Sequence, residues 1–141
     1  ILSKNTQLDM KQIELADGVG TRYNLANAEQ ISLLLTDVYK DKKIFPLFLT
    51  ALPQAGVSGS LKDRMKKTPL EKIVYAKTGS MHDISSLSGY LINPQGKPLI
   101  FSIIINGVNK PISTAKKLEE QILTLVNEEI NAEHSTNFDY A

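Results

Sequence analysis

Residues 77–80 read Lys77-Thr78-Gly79-Ser80 and follow the β-prone run Ile73-Val74-Tyr75. A cation, a hydroxyl, a residue without a side chain and a second hydroxyl, in that order, suit the grip of an anion at a strand edge. The ammonium attracts a carboxylate and tunes proton transfers nearby. The threonine hydroxyl can donate to the same carboxylate, and glycine lets a second backbone lie close against the strand. A plainer reading competes: the strand stops, the chain turns, and Lys77 keeps an edge strand soluble. Composition removes other chemistries. Cysteine is absent, so disulfides, thiolate nucleophiles and cysteine-bound zinc are excluded. The two histidines, His82 and His134, lie far apart in the sequence, which argues against a histidine-built metal site. Neither a metal nor a cofactor is expected.

The frame that must hold these residues is ordinary. A chain of 141 residues can bury the core of one domain. Its 42% hydrophobic and 22% charged residues fit a soluble globular protein. A formal net charge of +1 gives no field that would draw nucleic acid or a membrane surface, so nucleic acid is not an expected partner. No apolar run is long enough to span a bilayer. The chain opens on Ile1 with no recognisable signal peptide, as a fragment or a processed chain would.

Local patterns divide the chain into elements. "MKQIELA" (10–16) is expected to form a short strand, and "DGVGTRYN" (17–24) a glycine-bearing turn. Asn27 and Gln30 are spaced for a capping box, with Ile31, Leu34, Leu35 and Val38 at helical spacing behind them. "IFPLFLTALP" (44–53) is a short apolar helix bracketed by Pro46 and Pro53. A glycine loop leads into a short helix over 55–65, with Ser58 or Ser60 as its cap. Three strands are expected at 71–77, 85–93 and 98–107, with a tight turn at Pro94–Lys97. Short loops make them an antiparallel meander, and the third, apolar at nearly every residue, is expected at the centre of the sheet. Residues 113–130 form a helix capped by Ser113, with Leu118, Ile122, Leu125, Val126 and Ile130 as its apolar stripe. Its Glu119, Glu120, Glu128 and Glu129 read as a solvated face, Arg64 as a structural cation, and Tyr75 and Tyr90 as packed sheet residues. The fold class is α+β, an antiparallel sheet covered by helices, in one domain over 1–131 with a loose tail at 132–141.

Three stretches together carry a family resemblance. "AKTGS" (76–80), on the first strand of a hairpin, resembles the Lys-Thr-Gly element of serine-type penicillin-binding proteins and β-lactamases. "LPQAGVSGSLKDRM" (52–65) resembles the Leu-Pro-x-Ala-Gly-x-x-Gly-(Thr/Ser)-Leu-x-x-Arg-Met run of the D-alanyl-D-alanine carboxypeptidase/endopeptidase family. "DGVGTRYNL" (17–25) is similar to that family's Asp-Gly-Ser-Gly-Leu-Ser-Arg-Tyr-Asn-Leu loop, but one residue shorter. Order and spacing agree, and "LSGYLINPQGKPLIFSIIING" (87–107) reads like the hairpin that follows.

The resemblance implies the C-terminal part of a penicillin-binding-protein/β-lactamase-like domain. It implies a periplasmic or cell-envelope serine hydrolase that cleaves peptidoglycan stem peptides ending in D-Ala-D-Ala, through an acyl-enzyme that β-lactam antibiotics trap. Lys77 would serve in catalysis. Thr78, Gly79 and Ser80 would bind substrate as an added strand, with the Ser80 N–H as an oxyanion donor. Thr21 and Asn24 would take the places of the family's Ser-x-Asn pair, Thr21 bringing the bulk of an extra methyl. The Ser-x-x-Lys nucleophile would come from the missing N-terminal part of the protein. "STAK" (113–116) spells that motif, yet it follows the Lys-Thr-Gly strand, and a capping role for Ser113 accounts for it. Two rival readings are a non-catalytic binding module of the same fold and a β-lactamase-related hydrolase.

Overall fold

The structure, a computed structural model, describes residues 9, 11, 13–21, 23–94 and 97–136, the side chains of 134–136 excepted. Helix α1 (Ala28–Lys40) starts at the expected capping box: Asn27 accepts from the Gln30 amide, and Gln30 returns the bond to the Asn27 amide, each at 2.8 Å. Helix α2 (Phe45–Ala51) carries Pro46 in its first turn, where the missing N–H has no intrahelical partner to lose. Strands β1 (Val74–Met81), β2 (Ile84–Leu91) and β3 (Leu99–Asn106) pair antiparallel in the order β1-β2-β3. Helix α3 (Ile112–Thr136) closes the described chain.

Pleating separates two faces of the sheet. On one, Val74, Ala76, Leu87, Leu91 and Phe101 pack with Ala55, Leu61, Met65, Leu70 and Leu123 of α3. On the other, Tyr90 is fully buried under the edges of the Phe45 and Phe48 rings, with centroids 5.1 and 6.4 Å away. Its hydroxyl donates to the Leu35 carbonyl at 2.8 Å. Helices α1 and α2 thus cover one face and α3 the other, the α+β class expected.

Several expectations need correction. β1 begins at Val74 instead of residue 71 and continues through Met81. The chain does not turn until His82-Asp83, so the ladder with β2 runs unbroken from Val74↔Leu91 to Met81↔Ile84. Asp83 takes φ +62° there, a conformation that aspartate tolerates. Among the described residues strand β3, expected at the centre, is an outer strand, and β2 is central. The expected first strand is reduced among the described residues to one bridge, Glu14↔Leu25; Met10 and Gln12 lie outside them, as do Gln95 and Gly96 of the expected turn. The short helix near 55–65 is a single 3₁₀ turn, Gly59–Leu61.

On α3 the buried line is Ala115, Glu119, Leu123 and Asn127, while Leu118 and Leu125 are 46% and 65% exposed. The solvated face expected for Glu119 is overturned. Arg64, a structural cation as expected, donates to Glu119 at 2.9 Å, to Glu120 at 2.7 Å and to the Lys116 carbonyl at 3.1 Å. The Ser85 hydroxyl adds 2.6 Å to Glu119. That compensation lets a carboxylate occupy a core position. Glu120 is half-buried by the same pairing, whereas Glu128 and Glu129 are exposed as expected. The helix starts one residue before Ser113 and runs to Thr136, past the boundary expected at 131, with 137–141 outside the described residues.

Candidate functional site

Residues 53–55 lie along the outer edge of β1, but only over its first half. The Ala55 amide donates to the Val74 carbonyl at 2.9 Å and the Ala76 amide to the Pro53 carbonyl at 3.0 Å. Val74 and Ala76 therefore turn their backbone groups outward. Backbone direction alternates along an antiparallel strand, so Thr78 and Ser80 turn theirs outward too. Beyond Ala76 no backbone group among the described residues pairs with this edge. The outward N–H groups of Thr78 and Ser80 and the Ser80 carbonyl are left without a backbone partner among the described residues, while the Thr78 carbonyl accepts from Lys77.

The side chains at that opening are the ones with chemistry. Lys77 is exposed, and its Nζ donates to the Thr78 carbonyl at 2.6 Å. No carboxylate among the described residues pairs with it. Pleating places Lys77 and Gly79 on the face of Tyr75, and Thr78 and Ser80 on the opposite face. The Thr78 hydroxyl donates to Ser60 Oγ at 2.8 Å. A ligand lying along the edge would meet the ammonium from one side of the sheet plane and the hydroxyls from the other. A Cβ on Gly79 would come within 2.3 Å of Ser86 Oγ, so this glycine also makes room for its cross-strand neighbour. Tyr75, opposite Tyr90, accepts from Gln54 Nε2 at 2.7 Å and helps to pin the paired half of the edge.

Thr21 and Asn24 are engaged elsewhere. Asp17 accepts from the amides of Val19, Gly20 and Thr21, from the Thr21 hydroxyl and from Asn24 Nδ2. Asn24 Oδ1 accepts from the amides of Ala16 and Asp17 at 2.7 and 3.1 Å. The Thr21 hydroxyl bond, followed by the Val19 amide, holds the Asp17 carboxyl well below the usual carboxylate range. These bonds tie the loop into a knot around one carboxylate, and the recorded partners of both side chains lie within it. His82, the first residue past β1, is exposed and sits 2.8 Å from Asp83 through Nδ1. Ser113 is exposed on the first turn of α3, the helix that packs on the face of the sheet opposite Lys77.

Sequence reasoning missed Ser60 as a partner of Thr78. The two are 18 residues apart, and no local pattern pairs them.

Residues 1–128 match the D-Ala-D-Ala carboxypeptidase 3 (S13) family. A D-alanyl-D-alanine carboxypeptidase of Actinomadura sp. (strain R39) is 38% identical over 114 residues, covering 77% of this chain and 21% of the relative. The crystal structure of penicillin binding protein 4 (dacB) from Haemophilus influenzae superposes with a TM-score of 0.66 at 30% identity, over 77% of this chain and 24% of that one. A second structure of that protein, complexed with a novel β-lactam, gives a TM-score of 0.65 at 33% identity over 72% of this chain and 24% of its own. The chain thus spans about a fifth to a quarter of the length of the proteins that it matches.

Proposed function

The chain belongs to the D-Ala-D-Ala carboxypeptidase 3 (S13) family, and from that premise we propose that it forms the carboxylate-gripping part of a serine-type D-Ala-D-Ala carboxypeptidase/endopeptidase. The substrates are peptidoglycan stem peptides, met in the periplasm or cell envelope. The observation that carries the proposal is the half-edge of β1 beyond Ala76, which no backbone group among the described residues pairs, with the Lys77 ammonium beside it held only by the Thr78 carbonyl among them.

The terminal D-Ala-D-Ala segment adds along this edge as a strand. Its carboxylate draws Lys77 away from the Thr78 carbonyl and meets the Thr78 hydroxyl. At about 4 Å and an effective dielectric near 20, the ammonium–carboxylate attraction is on the order of 4 kcal/mol before desolvation. A serine attacks the penultimate carbonyl, and the outward N–H of Ser80 faces the developing oxyanion. Collapse expels D-alanine and leaves an acyl-enzyme, which water resolves. A β-lactam carries both a carboxylate and an acylating carbonyl, and follows the same path as far as the acyl-enzyme.

The nucleophile is assigned outside these residues. Ser113, exposed on the first turn of α3, follows the Lys-Thr-Gly strand in the chain instead of preceding it. Ser60 reaches the site, but its recorded partner there is the Thr78 hydroxyl, not the general base that a serine nucleophile needs. Thr21 and Asn24 remain the counterparts of the family's Ser-x-Asn pair, held in a loop built around Asp17.

Release of D-alanine from a D-Ala-D-Ala peptide by the complete enzyme, meaning this chain joined to the part that bears Ser-x-x-Lys, is the test. Lys77→Ala is expected to lower kcat/KM by about a hundredfold or more, as loss of a charge-stabilising group at a reacting centre does. An unchanged kcat/KM would remove Lys77 from the site.

A further inference from the structure

Ser60 sits where the outer edge of β1 changes from paired to open. Its position is built, not incidental. The segment that pairs with Val74 and Ala76 turns back at once: Gln54 N–H donates to Ser58 Oγ at 3.0 Å, and Gly56 N–H to the Leu61 carbonyl at 3.0 Å. Gly59 takes φ +55°, and a Cβ there would meet Pro53 Cγ at 3.0 Å, so the turn is pressed onto the residue whose carbonyl holds Ala76. Leu61, next to Ser60, is fully buried and anchors the turn in the core. Ser60 itself is exposed, with its oxygen 2.8 Å from Thr78 Oγ1.

In this arrangement the single proton of the Thr78 hydroxyl is given to Ser60, and Thr78 offers only lone pairs to the open edge. A carboxylate needs a donor there. Ser60 has a proton of its own and can reverse the bond. We infer that Ser60 is a positioning residue for the carboxylate grip: on ligand binding it donates to Thr78 Oγ1, and Thr78 turns its own proton to the ligand carboxylate. Two hydroxyls in series polarise one another, so the outer one becomes a better donor to an anion. No covalent change is involved, only a reversal of donor and acceptor. The inference rests on the proposed function, because it takes the open edge as the carboxylate site.

The test compares a penicillin with its methyl ester as acylating agents of the complete enzyme. The ester keeps the reacting ring and loses the charge. Ser60→Ala should lower the acylation efficiency of the free acid on the order of fivefold, the scale of one neutral hydrogen bond, and leave the ester unchanged. Ser60→Thr should restore the free acid. Thr78→Val should lower the acid-to-ester ratio further, and Ser60→Ala should add nothing in that background. A merely structural Ser60 would lower acid and ester together, and that result overturns the inference. So does a Ser60→Ala ratio equal to the parent's while Thr78→Val lowers it, which leaves the proposed function standing. If Lys77→Ala and Thr78→Val also leave the ratio unchanged, the proposed function fails and this inference with it.

Discussion

Replacing Gly79 with alanine asks why a residue without a side chain stands at the centre of the open edge. A Cβ built there lies 2.3 Å from Ser86 Oγ, yet 3.7 Å from Ser86 Cβ. The obstacle is one oxygen at the end of a side chain with a single torsion. Pushing that torsion away from its well costs about 0.5–1.5 kcal/mol, while alanine returns about 0.4–1 kcal/mol by stiffening the unfolded chain. Gly79→Ala should therefore change stability by no more than about 1 kcal/mol. In a Ser86→Ala background the oxygen is gone and the remaining contact is ordinary, so the same substitution should be neutral or stabilising. The coupling between the two sites should be about 1 kcal/mol, within the range for touching residues. Gly89 supplies the contrast. A Cβ there would lie 2.0 Å from the Tyr75 carbonyl oxygen and 2.7 Å from Ala76 Cα. Backbone in a ladder cannot rotate away, and Gly89→Ala should cost at least about 3 kcal/mol in either background, the upper end for overpacking. Urea unfolding of the five variants, followed by far-UV circular dichroism, measures all of this. Equal destabilisation by Gly79→Ala with and without the Ser86 hydroxyl would refute the steric reasoning, as would a tolerated Gly89→Ala.

Three further outcomes follow from the same geometry. Arg64→Ala leaves the fully buried Glu119 without its 2.9 Å cation and should cost about 3–5 kcal/mol in denaturant unfolding, as broken buried pairs do; Glu119→Ala should cost less, because Arg64 keeps Glu120 and the Lys116 carbonyl. Burial pushes the Tyr90 hydroxyl up to about 12, so its contribution to stability is complete below pH ~10, the ordinary tyrosine value, and is lost as pH rises through about 12. Tyr90→Phe should abolish that alkaline component, seen as unfolding midpoints against pH, and cost about 1 kcal/mol at neutral pH for the bond to Leu35. Finally, the 141-residue chain incubated with a penicillin should keep its parent mass; an adduct in an intact-mass spectrum would place the nucleophile inside it, and an adduct mapped to Ser113 would reverse the reading of "STAK".

Much of the scaffold was legible where local chemistry decides it. Asn27 and Gln30 spelled the start of α1, Pro46 marked α2, and the run of β-prone segments with short links gave the meander. Lys77-Thr78-Gly79-Ser80 stood out in the sequence by residue types alone, and the structure sets the four at the end of β1. What escaped depends on contacts distant in sequence. Glu119 read as solvated because its partner Arg64 stands 55 residues earlier. Strand β1 was ended too soon because His82-Asp83 lacks the glycine that usually marks a two-residue hairpin. The apolar run of β3 suggested a central strand, but hydrophobicity reports burial and not which neighbour supplies it. Thr21 and Asn24 resembled the family's pair by residue type, but nothing local announced that both also bond to Asp17.

The central claim is that the open half of the β1 edge takes a D-Ala-D-Ala carboxylate. Its most direct test is a titration of the isotope-labelled 141-residue chain with N-acetyl-D-Ala-D-Ala, read residue by residue from amide NMR shifts. The account predicts saturable shifts concentrated at Thr78 and Ser80 and at the neighbouring Ser60, absent in Lys77→Ala and weakened when the ligand carboxylate is amidated. Shifts centred elsewhere, or shifts at the edge that ignore both Lys77 and the carboxylate, would contradict it.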